Sequence, residues 1–262
     1  MTALQPVTVI TGASAGIGAA LARVFASKGH QLVLVARREA KLAAVADSVA
    51  ATSQTRPHLI PLDLTIPDAA DRLADELRLK SLAPEFIVNN AGFGLVGPAA
   101  ELDRAEQLAI IDLNVRLLTD LSLRFLDSVE RMRGGILNVG SVASFLPGPN
   151  NAVYHATKAY VLSFSEALHW ELKPKGVRVT ALCPGPVETE FQARANMPSD
   201  YFPRVLRRSA ERVAREGYEG LMRGQRLVVP GFANKVATVL PRMLPRAFVL
   251  RLVAGNAKVS PT

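Results

Sequence analysis

Val7-Thr8-Val9-Ile10 runs directly into Thr11-Gly12-Ala13-Ser14-Ala15-Gly16-Ile17-Gly18, and a helix-like stretch from Ala19 to Lys28 follows. A short β-branched apolar run, a tight turn and a helix in this order read as one strand–turn–helix unit. Glycines at 12, 16 and 18 carry no Cβ, so the backbone can turn sharply and approach a pyrophosphate, while the helix start offers free N–H groups and the positive end of its dipole. The spacing is Gly-x-x-x-Gly-x-Gly rather than the better-known Gly-x-Gly-x-x-Gly, although the physics of the loop is shared.

Outward from this unit comes Gln31-Leu32-Val33-Leu34-Val35-Ala36-Arg37-Arg38, a buried strand by composition. An acidic residue at its end would bind a ribose 2′-hydroxyl, but Ala36 stands there. Arg37 and Arg38 follow, and their guanidinium forks suit a 2′-phosphate; the expectation is NADP(H). The plainer reading is that both arginines open the exposed start of a helix from Glu39 to Val49. Further strands centre on Leu59, Val88, Leu137, Val179 and Val228, joining Val9 and Val33, with helical stretches between. This alternation predicts an α/β fold, a doubly wound parallel sheet with helices on both faces. At 262 residues and 49% hydrophobic, with no repeat or linker, the chain reads as a single domain over 1–262.

Tyr154-His155-Ala156-Thr157-Lys158 places a phenol and an ammonium at i and i+4, on one face of a helix. A phenol ordinarily titrates near ~10, and a cation within reach lowers such a value by roughly 1–3 units. Tyr154 is therefore a candidate proton carrier, Lys158 its activator, and Ser141 a hydroxyl partner for a developing oxyanion. The same pair on its own also fits a solvated helix face.

These motifs together resemble the short-chain dehydrogenase/reductase family, over about Val7 to Thr189. The glycine motif supplies Gly12, Ser14, Gly16, Ile17 and Gly18. Asp63 and Leu64 resemble the family's adenine-side turn, and Asn89-Asn90-Ala91-Gly92 its element after the fourth strand. Asn114, Ser141, Tyr154 and Lys158 match its catalytic tetrad, and Pro184-Gly185-Pro186-Val187-Glu188-Thr189 its nicotinamide-side loop. The resemblance implies a Rossmann-like fold and hydride transfer between nicotinamide and a carbonyl or alcohol carbon, with Tyr154 moving the proton. It also implies that Lys158 holds the ribose and that Asn114 fixes a water. Asn90, Ala91, Gly92, Pro184, Gly185, Val187 and Thr189 would contact the cofactor. Asp63 as a simple turn cap, and Asn114 as a buried amide satisfied by backbone, are the structural alternatives.

The rest of the chain narrows the class. Its four histidines show no paired metal spacing, and Cys183 is the one cysteine; no metal site and no disulfide are expected. Met1 to Pro6 lacks the pattern of a signal peptide, so a cytoplasmic location is expected. The net charge of +8 lies wholly in residues 200–262, which hold 12 Lys+Arg against 4 Asp+Glu. There Lys235, Arg242, Arg246 and Arg251 interrupt apolar residues from Val236 to Val253, and no uncharged run reaches the ~18 residues of a spanning helix. The favoured reading of 231–262 is a helical basic C-terminal extension covering the core or a partner subunit, with Pro241 and Pro245 breaking its helix. It can instead lie peripherally on an anionic membrane. This segment is expected to serve association, in a homo-oligomer, rather than chemistry. The pI of about 10.0 comes with no nucleic-acid recognition motif, so no specific nucleic acid is expected. Phe93, Leu95, Phe145, Leu146, Phe191, Met197, Tyr201 and Phe202 flank the predicted site and suggest a bulky apolar substrate. A non-catalytic cofactor-binding scaffold and a membrane-surface protein are the competing functions.

Overall fold

Apolar on both faces, the β-branched runs can only be buried between two layers of helices, and they form one parallel sheet. The computed structural model describes residues 4–53, 55–190, 195 and 203–256. Its strands are β1 (Gln5–Thr11), β2 (Leu32–Ala36), β3 (His58–Pro61), β4 (Leu82–Asn89), β5 (Gly135–Val139), β6 (Arg178–Leu182) and β7 (Leu227–Val228). Each contains one of the predicted strand centres. They lie in the order β3-β2-β1-β4-β5-β6-β7, every pair parallel. The order reverses between β1 and β4, where Val9 faces both Val33 and Ile87. Open sheets of this kind bind ligands at that reversal, outside the carboxyl ends of the strands.

The helices are α1 (Gly16–Ser27), α2 (Glu39–Ala50), α3 (Ala69–Leu79), α4 (Arg104–Ile111), α5 (Leu118–Arg124), α6 (Leu126–Arg131), α7 (Ala152–Leu172), α8 (Ala210–Met222), α9 (Phe232–Met243) and α10 (Arg246–Asn256). Alternate strand residues serve opposite layers. Val9, Val33 and Val35 pack with Leu73, Leu121 and Leu168 on one side. Ile10, Leu32 and Leu34 pack with Phe25, Leu42 and Leu221 on the other.

One expectation fails. Pro241 does not break the helix, for α9 runs through it to Met243. Pro241 has no N–H to give the carbonyl of Ala237, so α9 continues past it with one hydrogen bond fewer. The break comes at Leu244, whose extended backbone (φ −106°, ψ 148°) is the conformation that a following proline, Pro245, imposes.

A buried chain of polar side chains fixes α7 against the sheet. Asn89 Nδ2 donates to Ser122 Oγ and to Asn138 Oδ1, both at 2.9 Å, and Asn138 Nδ2 donates to Ser165 Oγ at 2.9 Å. Ser165 lies seven residues after Lys158 on the buried side of α7, so the network sets where the lysine sits. Asn138→Ala removes two of these bonds. It is expected to destabilise the protein by ~1–3 kcal/mol, the cost of leaving buried polar groups short of partners, read as a lower urea midpoint with an unchanged slope.

Candidate active site

At the carboxyl ends of β1 and β4 the two turns are laced together. Thr11 Oγ1 donates to Val88 O (3.2 Å) and accepts the N–H groups of Asn90 and Ala91 (both 3.0 Å). Asn90 Nδ2 donates back to Thr11 O (2.9 Å) and Gly12 O (3.2 Å). Gly12 (φ +65°) and Gly16 (φ +55°) occupy left-handed backbone, and a Cβ on Gly16 would lie 2.9 Å from the Thr189 methyl. The glycine turn thus touches the 184–189 loop directly. Ala15, the N-cap of α1, supplies no capping side chain, and the first turn carries no acid, leaving the first-turn N–H groups facing a cavity as an anion site.

That cavity measures ≈ 1110 Å³, and Ser141, Tyr154 and Lys158 converge on its wall. Ser141 ends β5's extension and caps the 3₁₀ turn Val142–Phe145, accepting the N–H of Ala143 at 3.1 Å. Lys158 is buried; its Nζ donates to Val139 O at 2.8 Å and lies 5.7 Å from the Tyr154 ring centre. Burial pulls its pKa down to about 8. Burial also pushes the Tyr154 phenol up to about 12, against the pull of its hydrogen bond from Ser141. Sequence spacing had suggested the opposite, a phenol lowered by the lysine. Desolvation by burial dominates the phenol's shift, and the Lys158 ammonium gives a proton to the Val139 carbonyl in a hydrogen bond.

At the other end of the cavity stand Ala36, Arg37 and Arg38 with Ser14, Asp63 and Leu64. Arg38 Nη2 reaches Ser14 Oγ (3.3 Å) and Glu190 Oε2 (2.7 Å), and Lys41 also pairs with Glu190. Arg37 lies 3.8 Å from Asp63. Asp63 also caps its turn, Oδ1 accepting Thr65 N (3.0 Å) and Thr65 Oγ1 (2.8 Å), and it lines the cavity. Two guanidiniums beside an uncapped helix start and a glycine cradle fit a phosphorylated dinucleotide.

Gly12, Gly16, Ile17, Asn90, Ala91, Gly92, Pro184, Gly185, Val187 and Thr189 also line the cavity. Gly18 and Asn114 do not. A Cβ on Gly18 would lie 2.3 Å from Gly12 O, so its place is the packing of α1 on the turn. Asn114 is fully buried in the π-helical turn Asp112–Leu117, its Oδ1 accepting Phe93 N (3.1 Å) and its Nδ2 donating to Phe93 O (3.0 Å) and Thr157 Oγ1 (3.1 Å). Both amide protons are used within the protein, and the side chain brackets the segment after Gly92 to α7.

Of the apolar residues expected around the substrate that fall among the described residues, only Leu146 lines the cavity. Phe93 and Leu95 belong to the core, Phe145 packs against a small cluster under β6 and β7, and Phe191, Met197, Tyr201 and Phe202 lie outside the described residues. The wall instead includes Ala237, Pro241, Leu244, Val249 and Val253, so the C-terminal extension shapes the site, against the expectation that it serves association alone. Sequence reasoning also missed Asn151 and His155, both in the wall. Asn151 is buried with Oδ1 lacking a protein partner, and the Nδ1–H of His155 donates to Leu146 O at 2.8 Å. The signal for both was proximity to Tyr154 at the start of α7.

Residues 6–199 match the family model described as short chain dehydrogenase. The chain is 37% identical over 191 residues to sulfoacetaldehyde reductase 2 of Chromohalobacter salexigens, covering 72% of this chain and 75% of that protein. A short-chain dehydrogenase from Sphingobium yanoikuyae in complex with NADPH superposes with a TM-score of 0.78 at 30% identity, over 98% of each chain. The bulky-bulky ketone specific alcohol dehydrogenase from Comamonas testosteroni does so with a TM-score of 0.75 at 27% identity, over 94% of this chain and 97% of its own.

The buried lysine leaves a thermodynamic trace. Its folded pKa of about 8 lies below its ordinary 10.5, so the folded state binds fewer protons than the unfolded chain between those values, and stability rises with pH across that window. The cost of holding the cation is fully present below about pH 8. Relative to Lys158→Met, the wild type is expected to gain ~2–3 kcal/mol between pH 8 and 10.5. Parallel urea titrations check this; identical pH slopes for the two proteins would contradict it.

Proposed function

The chain belongs to the short-chain dehydrogenase family, and from that premise we propose an NADP(H)-dependent oxidoreductase acting on a bulky, largely apolar carbonyl or secondary alcohol. The observation that carries the reading is one cavity with Ser141, Tyr154 and Lys158 on its wall and Arg37 and Arg38 at its far end. The bound nicotinamide would supply or accept the hydride. Arg37 and Arg38, with Ser14, would hold the 2′-phosphate. Gly12, Gly16, Ile17 and the start of α1 would receive the pyrophosphate. Asp63 and Leu64 would flank the adenine, Asn90, Ala91 and Gly92 the ribose side, and Pro184, Gly185, Val187 and Thr189 the carboxamide.

In the reducing direction Tyr154 donates its hydroxyl proton to the substrate oxygen. Its raised pKa keeps that proton in place at neutral pH, and Ser141 hydrogen-bonds the same oxygen as charge develops. In the oxidising direction the Lys158 ammonium stabilises the phenolate. Asn114 and Gly18 act by position, holding α7 and α1. The bulky apolar class is supported by the lining of Leu146, Leu206, Pro241, Leu244, Val249 and Val253 and by the ketone specificity named for the Comamonas relative.

The same reading treats residues 1–262 as one dinucleotide-binding domain, with 231–262 as its extension, working in the cytoplasm as a homo-oligomer. A buried free thiol, Cys183, suits a reducing compartment. Leu108 and Ile111 on α4, Leu123 on α5 and Tyr160 on α7 are exposed, apolar surface suited to a second copy.

Two measurements test this. On a panel of ketones followed by NADPH absorbance, Tyr154→Phe is expected to lower turnover at least ~10²-fold, the scale of losing a general acid, with cofactor affinity little changed; turnover within a factor of ~2 of wild type would refute the proton role. By titration, NADPH should bind at least ~10-fold more tightly than NADH, a difference of about 1.4 kcal/mol. Arg37→Ala and Arg38→Ala should each erode the preference, and equal affinities in the wild type would overturn the cofactor assignment.

A further inference from the structure

Helix α9 carries large apolar side chains on its outward face. Its buried positions include Asn234 and Thr238, 1% and 4% exposed, whereas Phe232, Val236 and Val239 are 80%, 47% and 53% exposed. Phe232, Val236 and Val239 stand at i, i+4 and i+7 and so form one stripe, with Lys235 exposed beside it. Of the inward polar groups, Asn234 Nδ2 donates to Pro230 O (2.8 Å) and Leu206 O (3.2 Å) and Thr238 Oγ1 to Lys235 O (2.8 Å), while Asn234 Oδ1 has no partner among the described residues. After the break at Leu244–Pro245, α10 also exposes large side chains. Val249 is buried, while Phe248, Leu250 and Arg251 face out. A stripe of large apolar residues in water is costly, and exposed apolar patches of this kind mark interaction sites.

Charge selects the partner. Glu219 is the last acidic residue of the chain; of the cations after it, Arg223 and Arg226 pair with Glu219 and Glu166, and Lys235, Arg242, Arg246, Arg251 and Lys258 lie in the segment after Gly231. A second copy seated on this face about a twofold axis would set cations against cations with no acid from the segment to pair them. An anionic bilayer offers the complement, with hydrocarbon for the apolar stripe and lipid phosphates and carboxylates for the cations. No helix among the described residues is long and apolar enough to cross a membrane, so the contact is interfacial.

We propose that the outer face of α9 and α10 is a docking surface for anionic lipid bilayers. Its inner face, through Ala237, Pro241, Leu244, Val249 and Val253, walls the cavity, so docking sets the apolar end of the site against a lipid phase. The inference does not depend on which reaction the cavity performs.

Sedimentation of the full chain with vesicles of phosphatidylcholine, or of phosphatidylcholine mixed with phosphatidylserine, tests it. Binding to the anionic vesicles is expected to be at least ~10-fold stronger and to fall as salt screens the cations. Phe232→Ser combined with Val239→Ser should reduce it a further ~10-fold, since both apolar contacts are lost, without changing the melting temperature or NADPH affinity. Equal binding to both vesicles, or unaltered binding by the variant, overturns the proposal. So does a wild-type oligomer that the variant dissociates while neither protein sediments with lipid, which would assign the face to a second copy. The unchanged NADPH affinity separates failure of this surface from failure of the oxidoreductase reading.

Discussion

The threonine–asparagine lacing between β1 and β4 is the contact on which the site depends. Parallel neighbours diverge after their last ladder bond, and here the two chain segments leaving the sheet must stay together for a cavity to have a floor. Thr11 does this with one hydroxyl used three times, as donor to Val88 and acceptor from two successive backbone N–H groups. Asn90 returns the favour to the backbone of Thr11 and Gly12. Because the glycine turn in turn presses on Thr189, three separate segments acquire fixed positions from a handful of side-chain bonds.

Deeper in the sheet, amides rather than hydrocarbon occupy the ends of β4 and β5. Asn89 and Asn138 are buried, as are their partners Ser122 and Ser165, and each bond they make is directional where a leucine contact would not be. Polar networks of this kind specify a unique arrangement at some risk, since every unmade bond is costly. The return is that α7 can hold an ammonium in a desolvated place. A lysine kept there opposes folding, and stability given up at a site is commonly the counterpart of reactivity.

Much of this was legible in the chain. Strand positions follow from β-branched runs bounded by turns, and the glycine and arginine placements marked the ends of β1 and β2 that line the cavity. Other features depend on depth, which spacing does not report. Tyr154 and Lys158 at i and i+4 predicted a shared face correctly, but not that both would be desolvated, which reverses the direction of the phenol's shift. Asn114 was visible as a candidate; that its amide would be consumed by Phe93 and Thr157 depends on the π-helical turn. Pro241 misled because a missing N–H near the end of α9 weakens the helix without ending it. The apolar residues after Gly231 have helical spacing whichever side faces water, so only the fold could show which of them wall the cavity and which stand in solvent.

The C-terminal wall has an evolutionary corollary. Every group proposed to touch the reacting atoms comes from the stretch ending at Thr189, whereas Leu206, Pro241, Leu244, Val249 and Val253 reach the same cavity from later in the chain. What is done to a bond and which molecule is admitted are therefore written in consecutive, largely separate passages of one polypeptide. Drift or recombination in the later passage can redraw the clientele of the enzyme while its reaction stays fixed.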